Sequence, residues 1–216
     1  MARLKLGVLI SGRGSNLQAI LDACADPAFP AEVALVISNV EGAGGLDRAR
    51  AANVPVAVVP HRNYPDRPAF EAALTHELDE RGVRLVCLAG FMRLLTRSFV
   101  DRWKDRIINI HPSLLPAFKG LDIHERVLAA GARITGCTVH YVRAEMDEGP
   151  IIVQGAVPVL AGDTPDTLAA RVLTVEHRIY PLAVKLIAEG RARVVGDLVP
   201  LQGEGDDGVM LVSPER

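Results

Sequence analysis

The sequence predicts an α/β fold in which a mostly parallel sheet is flanked by helices and gains antiparallel strands in its C-terminal half. Three observations predict it. Short apolar, β-rich runs alternate with helix-period segments through the first half, the pattern of successive βαβ units with right-handed crossovers. The runs at residues 4–10 and 85–89 are apolar almost throughout, as strands covered on both faces must be. In the second half, two strand-like runs follow one another across a short polar loop, which reads as an antiparallel pair.

The elements follow in chain order. Strands are expected at residues 4–10, 33–38, 56–59, 85–89 and 106–110. The first runs straight into Ser11-Gly12-Arg13-Gly14-Ser15-Asn16, a Gly-rich turn that opens a helical pattern. Phe70, Leu74 and Leu78 recur every four residues and mark the buried stripe of a helix. Asp66 is placed to cap its start, Pro68 lies in its first turn, and Gly82 stands where helices end in left-handed backbone. Strands at 134–142 and 150–159 flank the loop Arg143-Ala144-Glu145-Met146-Asp147-Glu148-Gly149. Thr164 then caps a helix from Pro165 to Glu189, in which Pro181 predicts a kink because it removes one backbone donor. With no repeat and no linker in the pattern, residues 1–216 are expected to form one domain. The Gly-rich, acidic tail at 202–216 is expected to be partly mobile.

Composition narrows the function. Of 216 residues, 49% are hydrophobic and 23% charged, the balance of an ordinary globular protein. A formal net charge of -2 lacks the basic excess of a nucleic-acid binder, so no nucleic-acid partner is expected. No apolar run approaches the roughly 20 residues of a membrane span, and the opening LKLGVLI is too short for a signal-peptide core. No membrane partner is expected, and the location expected is cytoplasmic. Cys24, Cys87 and Cys137 are dispersed without a CxxC pair, as reduced thiols buried among apolar neighbours would be. Without a Cys cluster or an HExxH pattern, no metal site is expected.

Three places carry chemistry. The turn at Ser11–Asn16 offers backbone N–H groups at a helix start, a ready anion site, although a tight turn alone would also use its glycines. It is no P-loop, since no Lys-Ser/Thr follows, and Leu17 stands where a dinucleotide fingerprint needs its third glycine. Phosphate is the anion expected. The second place is Asn109-Ile110-His111-Pro112-Ser113-Leu114-Leu115-Pro116. Asn109 and His111 alternate onto one strand face, and Pro112 ends the strand there, at the carboxyl edge where open α/β sheets bind ligands. An amide beside an imidazole suits acyl transfer, because both can donate to an oxyanion and the imidazole can move a proton. The third is Asp147, which either serves its turn or sits near an imidazole, whose charged form it would favour. Spacing does not decide between these.

The blocks LISGRGSN, AGFMRLL, NIHPSLLPAFKG and Asp147-Glu148-Gly149-Pro150 resemble, in order and spacing, those of the glycinamide ribonucleotide formyltransferases. The resemblance runs from Leu4 to Gly190. It implies a Rossmann-like formyltransferase fold, with a phosphate-binding half at 1–105 and a catalytic and folate half at 106–201. It implies transfer of the formyl group of 10-formyltetrahydrofolate, as co-substrate, to the amine of phosphoribosylglycinamide in de novo purine (IMP) biosynthesis. These two small molecules are the partners implied, with a monomer or a homodimer both compatible. Asn109, His111 and Asp147 match the catalytic trio. Gly14, Ser15, Asn16 and Glu176 match substrate contacts. Arg67, Met92, Arg93, Leu94, Leu95, Asn109, Arg143, Ala144, Glu145, Met146 and Asp147 match the folate site. Arg13 matches no fixed residue type, and Leu173-Thr174-Val175 are less polar than a substrate-contacting stretch should be. Asp122, His124 and His140 are expected to serve structure. A formyltetrahydrofolate hydrolase is the alternative, but it resembles NIHHS where this chain reads NIHPS. A formyltransferase for initiator tRNA and a non-catalytic nucleotide-binding module fit the charge and the Asn109/His111 pairing less well.

Overall fold

The computed structural model describes residues 2–200 and 213. The expectation for the tail at 202–216 lies outside the described residues, Ser213 apart. Five strands alternate with helices in chain order: β1 Leu4–Ile10, α1 Ser15–Ala25, β2 Ala31–Ser38, α2 Gly44–Ala51, β3 Val56–Val58, α3 Arg67–Glu80, β4 Leu85–Leu88, α4 Arg97–Arg102 and β5 Ile107–His111. Then come α5 Ile123–Ala129, β6 Ile134–Tyr141, β7 Ile151–Pro158 and α6 Pro165–Ala188. Among the described residues the strands form one sheet in the order β3-β2-β1-β4-β5-β6-β7. Pairs from β3 to β5 are parallel, and β5–β6 and β6–β7 are antiparallel. The expected fold class is the one observed.

The period-2 geometry of a strand explains the two cores. Leu6, Val8 and Ile10 of β1 point to a cluster that α1, α5 and α6 complete with Leu17, Ile20, Val127, Leu168 and Tyr180. Leu9 points the other way, to Phe70, Leu74 and Leu78 of α3 and to Phe99 and Trp103. Asp66 caps α3 by accepting from Ala69 N at 2.8 Å, and Gly82 follows with φ of 65°. Thr164 caps α6 in a reciprocal bond pair with Thr167. The helix continues through Pro181, and buried Tyr180 fastens it by donating to the Leu88 carbonyl at 2.9 Å.

Strand ends differ from the expected ones by one or two residues. β2 starts at Ala31 because Leu4 pairs with it, and β5 runs one residue further, to His111. Helices α2, α4 and α5 hold 8, 6 and 7 residues, too few turns to show a period in sequence. Among the described residues no helix is long and apolar enough to cross a membrane.

The β6–β7 pair is closely apposed at Gly136. A Cβ there would stand 1.9 Å from the Gly155 carbonyl oxygen and 2.9 Å from Ala156 Cα, both backbone atoms that cannot swing aside. Gly136→Ala is expected to destabilise the chain by roughly 2–4 kcal/mol, read as a lowered urea midpoint. An unchanged midpoint would show that the strands are not so close.

Candidate active site

The strand order turns between β1 and β4, and the crevice at such a turn is where open α/β sheets take ligands. A cavity of about 900 Å³ opens there. Asn16 and Glu176 lie at one side of it, Asn109 and His111 line its floor, and Met92, Leu94 and Met146 lie along its rim.

The floor is built by strand pairing. Asn109 stands opposite His140 across the β5–β6 ladder, which puts His140 Nε2 3.5 Å from Asn109 Nδ2. His140 Nδ1 donates to the Tyr141 carbonyl at 2.9 Å, so the neutral ring keeps a bare Nε2 as acceptor for the Asn109 amide. Burial holds the His140 pKa below its ordinary value and outweighs the opposing pull of the Tyr141 carbonyl and Asp147. His140 is therefore neutral near pH 7. It is a satisfied histidine, as the sequence suggested, and it also grips Asn109.

Asp147 comes back over this floor from the loop after β6. Its φ of 57° is left-handed backbone, which aspartate tolerates better than most residues. Its side chain is 9% exposed, and Oδ2 accepts from Gly120 N at 2.9 Å while standing 3.5 Å from His111 Nδ1. Oδ1 lies 3.9 Å from His140 Nε2. The fold thus brings together Asn109, His111 and Asp147, which spacing alone could not join. It also adds a contact that no motif announces: His111 Nε2 donates to the Phe118 carbonyl at 3.0 Å. Both nitrogens of His111 therefore face acceptor oxygens.

The Gly-rich turn lies beside this floor. Gly14 has φ of 71°, and a Cβ on it would meet Gly45 Cα at 2.6 Å, so α2 packs tightly on the turn. Among the described residues no side chain caps α1, and its first helical bond is Gln18 N to Gly14 O at 2.9 Å. The N–H groups of Ser15, Asn16 and Leu17 precede that bond and are left to outside acceptors, the geometry of an anion site. Asn16 lines the cavity, whereas Gly14 and Ser15 do not. Asn16 Nδ2 donates to Glu176 Oε2 at 2.6 Å, and its buried Oδ1 has no partner among the described residues.

Met92, Arg93, Leu94 and Leu95 line the opposite arm in irregular backbone, and Met92 and Leu94 are 68% and 63% exposed. Met92 and Leu94 are thus not core residues, whereas Leu95 packs half-buried against the core. Arg143, Ala144 and Met146 join them. Arg67 and Glu145 are exposed and stand outside the cavity wall, with Glu145 paired to Arg97 at 2.8 Å. The wall also takes in Asp122, His124 and Asp166, on the N-terminal ends of α5 and α6. Among the described residues no group of three or more His, Cys, Asp and Glu is arranged to hold a metal ion.

Comparison with known proteins decides the family. The model of the formyl transferase family matches residues 4–184. The chain belongs to the formyl transferase family. It is 44% identical over 201 residues to the phosphoribosylglycinamide formyltransferase of Escherichia coli, covering 93% of this chain and 95% of that protein. It is 50% identical over 192 residues to the chicken (Gallus gallus) trifunctional purine biosynthetic protein adenosine-3. That match takes in 89% of this chain and 19% of the relative, so the chain spans about a fifth of the trifunctional protein's length. The crystal structure of glycinamide ribonucleotide transformylase 1 from Symbiobacterium toebii superposes with a TM-score of 0.90 at 52% identity, covering 93% of this chain and 95% of that one.

This formyl transferase buries one carboxylate at a cost. Glu176 is 7% exposed, and burial raises its pKa against the opposing pull of the Asn16 amide and of His111. A carboxyl whose folded pKa lies above its unfolded value weakens the fold as pH rises through the folded value. Below the unfolded value, both states are protonated and the penalty is absent. Glu176→Gln, which removes this charge, is accordingly expected to raise Tm at pH 7.5. The gain should vanish near pH 4. A Tm lowered at pH 7.5 would show that the charged carboxylate stabilises the fold.

Proposed function

We propose that this formyl transferase passes the formyl group of 10-formyltetrahydrofolate to the amine of phosphoribosylglycinamide, a step of de novo purine (IMP) biosynthesis in the cytoplasm. The observation that carries the reading is the convergence of Asn109, His111 and Asp147 on the floor of one cavity with two unlike arms. The polar arm, with the start of α1 and the Asn16–Glu176 pair, suits a phosphorylated ribose. The apolar arm, with exposed Met92, Leu94 and Met146, suits a flat heteroaromatic ring. Near-full-length similarity to the Escherichia coli enzyme supports the same pairing of substrates.

The amine attacks the formyl carbon, and charge gathers on the former carbonyl oxygen. Asn109 presents its second amide hydrogen to that oxygen, since the first is held by His140. His111 supplies the second donor through Nε2, which must pass from the Phe118 carbonyl to the oxygen as charge develops. Asp147 steadies the imidazole from the Nδ1 side. The proton leaving the amine goes to the folate nitrogen as the bond to formyl breaks, by way of His111 or a water. The residues bring two bound substrates together and require no metal ion in this scheme.

Tetrahydrofolate release from 10-formyltetrahydrofolate, followed with and without phosphoribosylglycinamide, tests the reading. Release that requires the amine is expected, and His111→Ala should abolish it. Asn109→Ala should lower turnover by roughly 10²–10³. Release without amine would favour a hydrolase, and an Asn109→Ala variant within a small factor of wild type would remove Asn109 from the chemistry.

A further inference from the structure

The segment from Gly90 to Thr96 carries the apolar arm of the cavity, yet it has no helix or strand of its own to fix its shape. Its conformation therefore depends on what holds its ends. At one end stands Ser11, the first residue of the Gly-rich turn. Its backbone N donates to the Gly90 carbonyl at 3.1 Å, and its Oγ accepts from Met92 N at 2.8 Å. The Ser11 hydroxyl donates its single proton to Asn39 Oδ1 at 2.6 Å, and Asn39, 4% exposed, is held in turn by His61 Nδ1 at 3.2 Å. A hydroxyl has one proton to give, so Ser11 has none left for an anion.

At the other end stands Glu71 of α3, 4% exposed. Its Oε1 accepts from Thr96 N at 2.7 Å, and its Oε2 accepts from the Thr96 hydroxyl. Both carboxylate oxygens are spent on one residue, the N-cap of α4. Between the two ends, Phe91 is buried and stacks on Phe70 of α3 with ring centroids 6.5 Å apart.

We infer that Ser11 and Glu71 are positioning residues for the formyl-folate arm, and that Ser11, although it lies in the phosphate-type turn, serves the folate and not the phosphorylated substrate. The inference rests on the functional reading above. Ser11 thereby stands apart from Gly14, Ser15 and Asn16 of the same turn, which match substrate contacts. Neither Ser11 nor Glu71 lines the cavity, so each acts through the backbone of residues 92–96. Loss of a backbone N–H bond of this kind should weaken folate binding about 3- to 10-fold in Ser11→Ala. Glu71→Gln keeps the shape but turns an amide donor toward Thr96, and about 10-fold or more is expected.

The test measures dissociation constants of tetrahydrofolate and of phosphoribosylglycinamide separately, by titration calorimetry, for wild type, Ser11→Ala and Glu71→Gln. KM for both substrates and thermal unfolding are measured in parallel. The expected result is a raised constant for tetrahydrofolate in both variants, with the phosphoribosylglycinamide constant within twofold of wild type. A purely structural role would weaken both ligands together. A rise confined to phosphoribosylglycinamide in Ser11→Ala would make the hydroxyl an anion ligand and overturn the inference. Unchanged constants in both variants would overturn it equally. If wild type bound neither ligand, the functional reading itself would fall and the inference with it, an outcome distinct from the others.

Discussion

One buried carboxylate sets the terms for this site. Asp147 has little water to solvate it, and a charge so placed is costly unless neighbours satisfy it. The chain meets that demand from two directions. Gly120 N donates from the turn before α5 and His111 approaches from the end of β5, while the bare Nε2 of His140 stands 3.9 Å off and offers no proton. Gly120 and His111 lie far from Asp147 in sequence and meet it only through the fold. The antiparallel entry of β6 beside β5 is what brings the Asp147 loop over Asn109 and His111. The left-handed backbone at Asp147 is the local strain that this convergence requires.

The same arrangement divides labour between two histidines. His111 has acceptors at both ring nitrogens, the Asp147 carboxylate at one and the Phe118 carbonyl at the other. His140 has a carbonyl at Nδ1 and an amide donor at Nε2. Burial keeps His140 neutral, so it can accept from Asn109 and leave Asp147 to its neighbour. A protonated His140 would turn a donor toward the Asn109 amide and set the two at odds. The neutrality of one ring is thus part of the orientation of another residue's amide.

Much of the fold was legible in the sequence because it depends on local patterns. The apolar run of β1, the four-residue stripe of α3, and the caps Asp66 and Thr164 each carry their own signal. The short helices α2, α4 and α5 do not, since so few turns leave no period to see. In the site, Asn109 and His111 were legible from alternation and from Pro112. Asp147 could be tied to them only through resemblance, because its place depends on the β5–β6 register. His140 looked structural for the same reason: its cross-strand partner is set by pairing. The Phe118 carbonyl was invisible, since a backbone group leaves no mark in the residue pattern. The sequence gives Ser11 no role of its own, because its partners Asn39 and Met92 are both remote in sequence.

The claim that a neutral His140 orients Asn109 beside the Asp147–His111 pair is tested most directly by ¹⁵N NMR of the histidine rings. The account predicts that His140 carries its proton on Nδ1 and shows a bare Nε2 at neutral pH, with protonation only at a pH below that of an ordinary histidine. A proton on Nε2, or an imidazolium at pH 7, would contradict it, because either would face the Asn109 amide with a second donor.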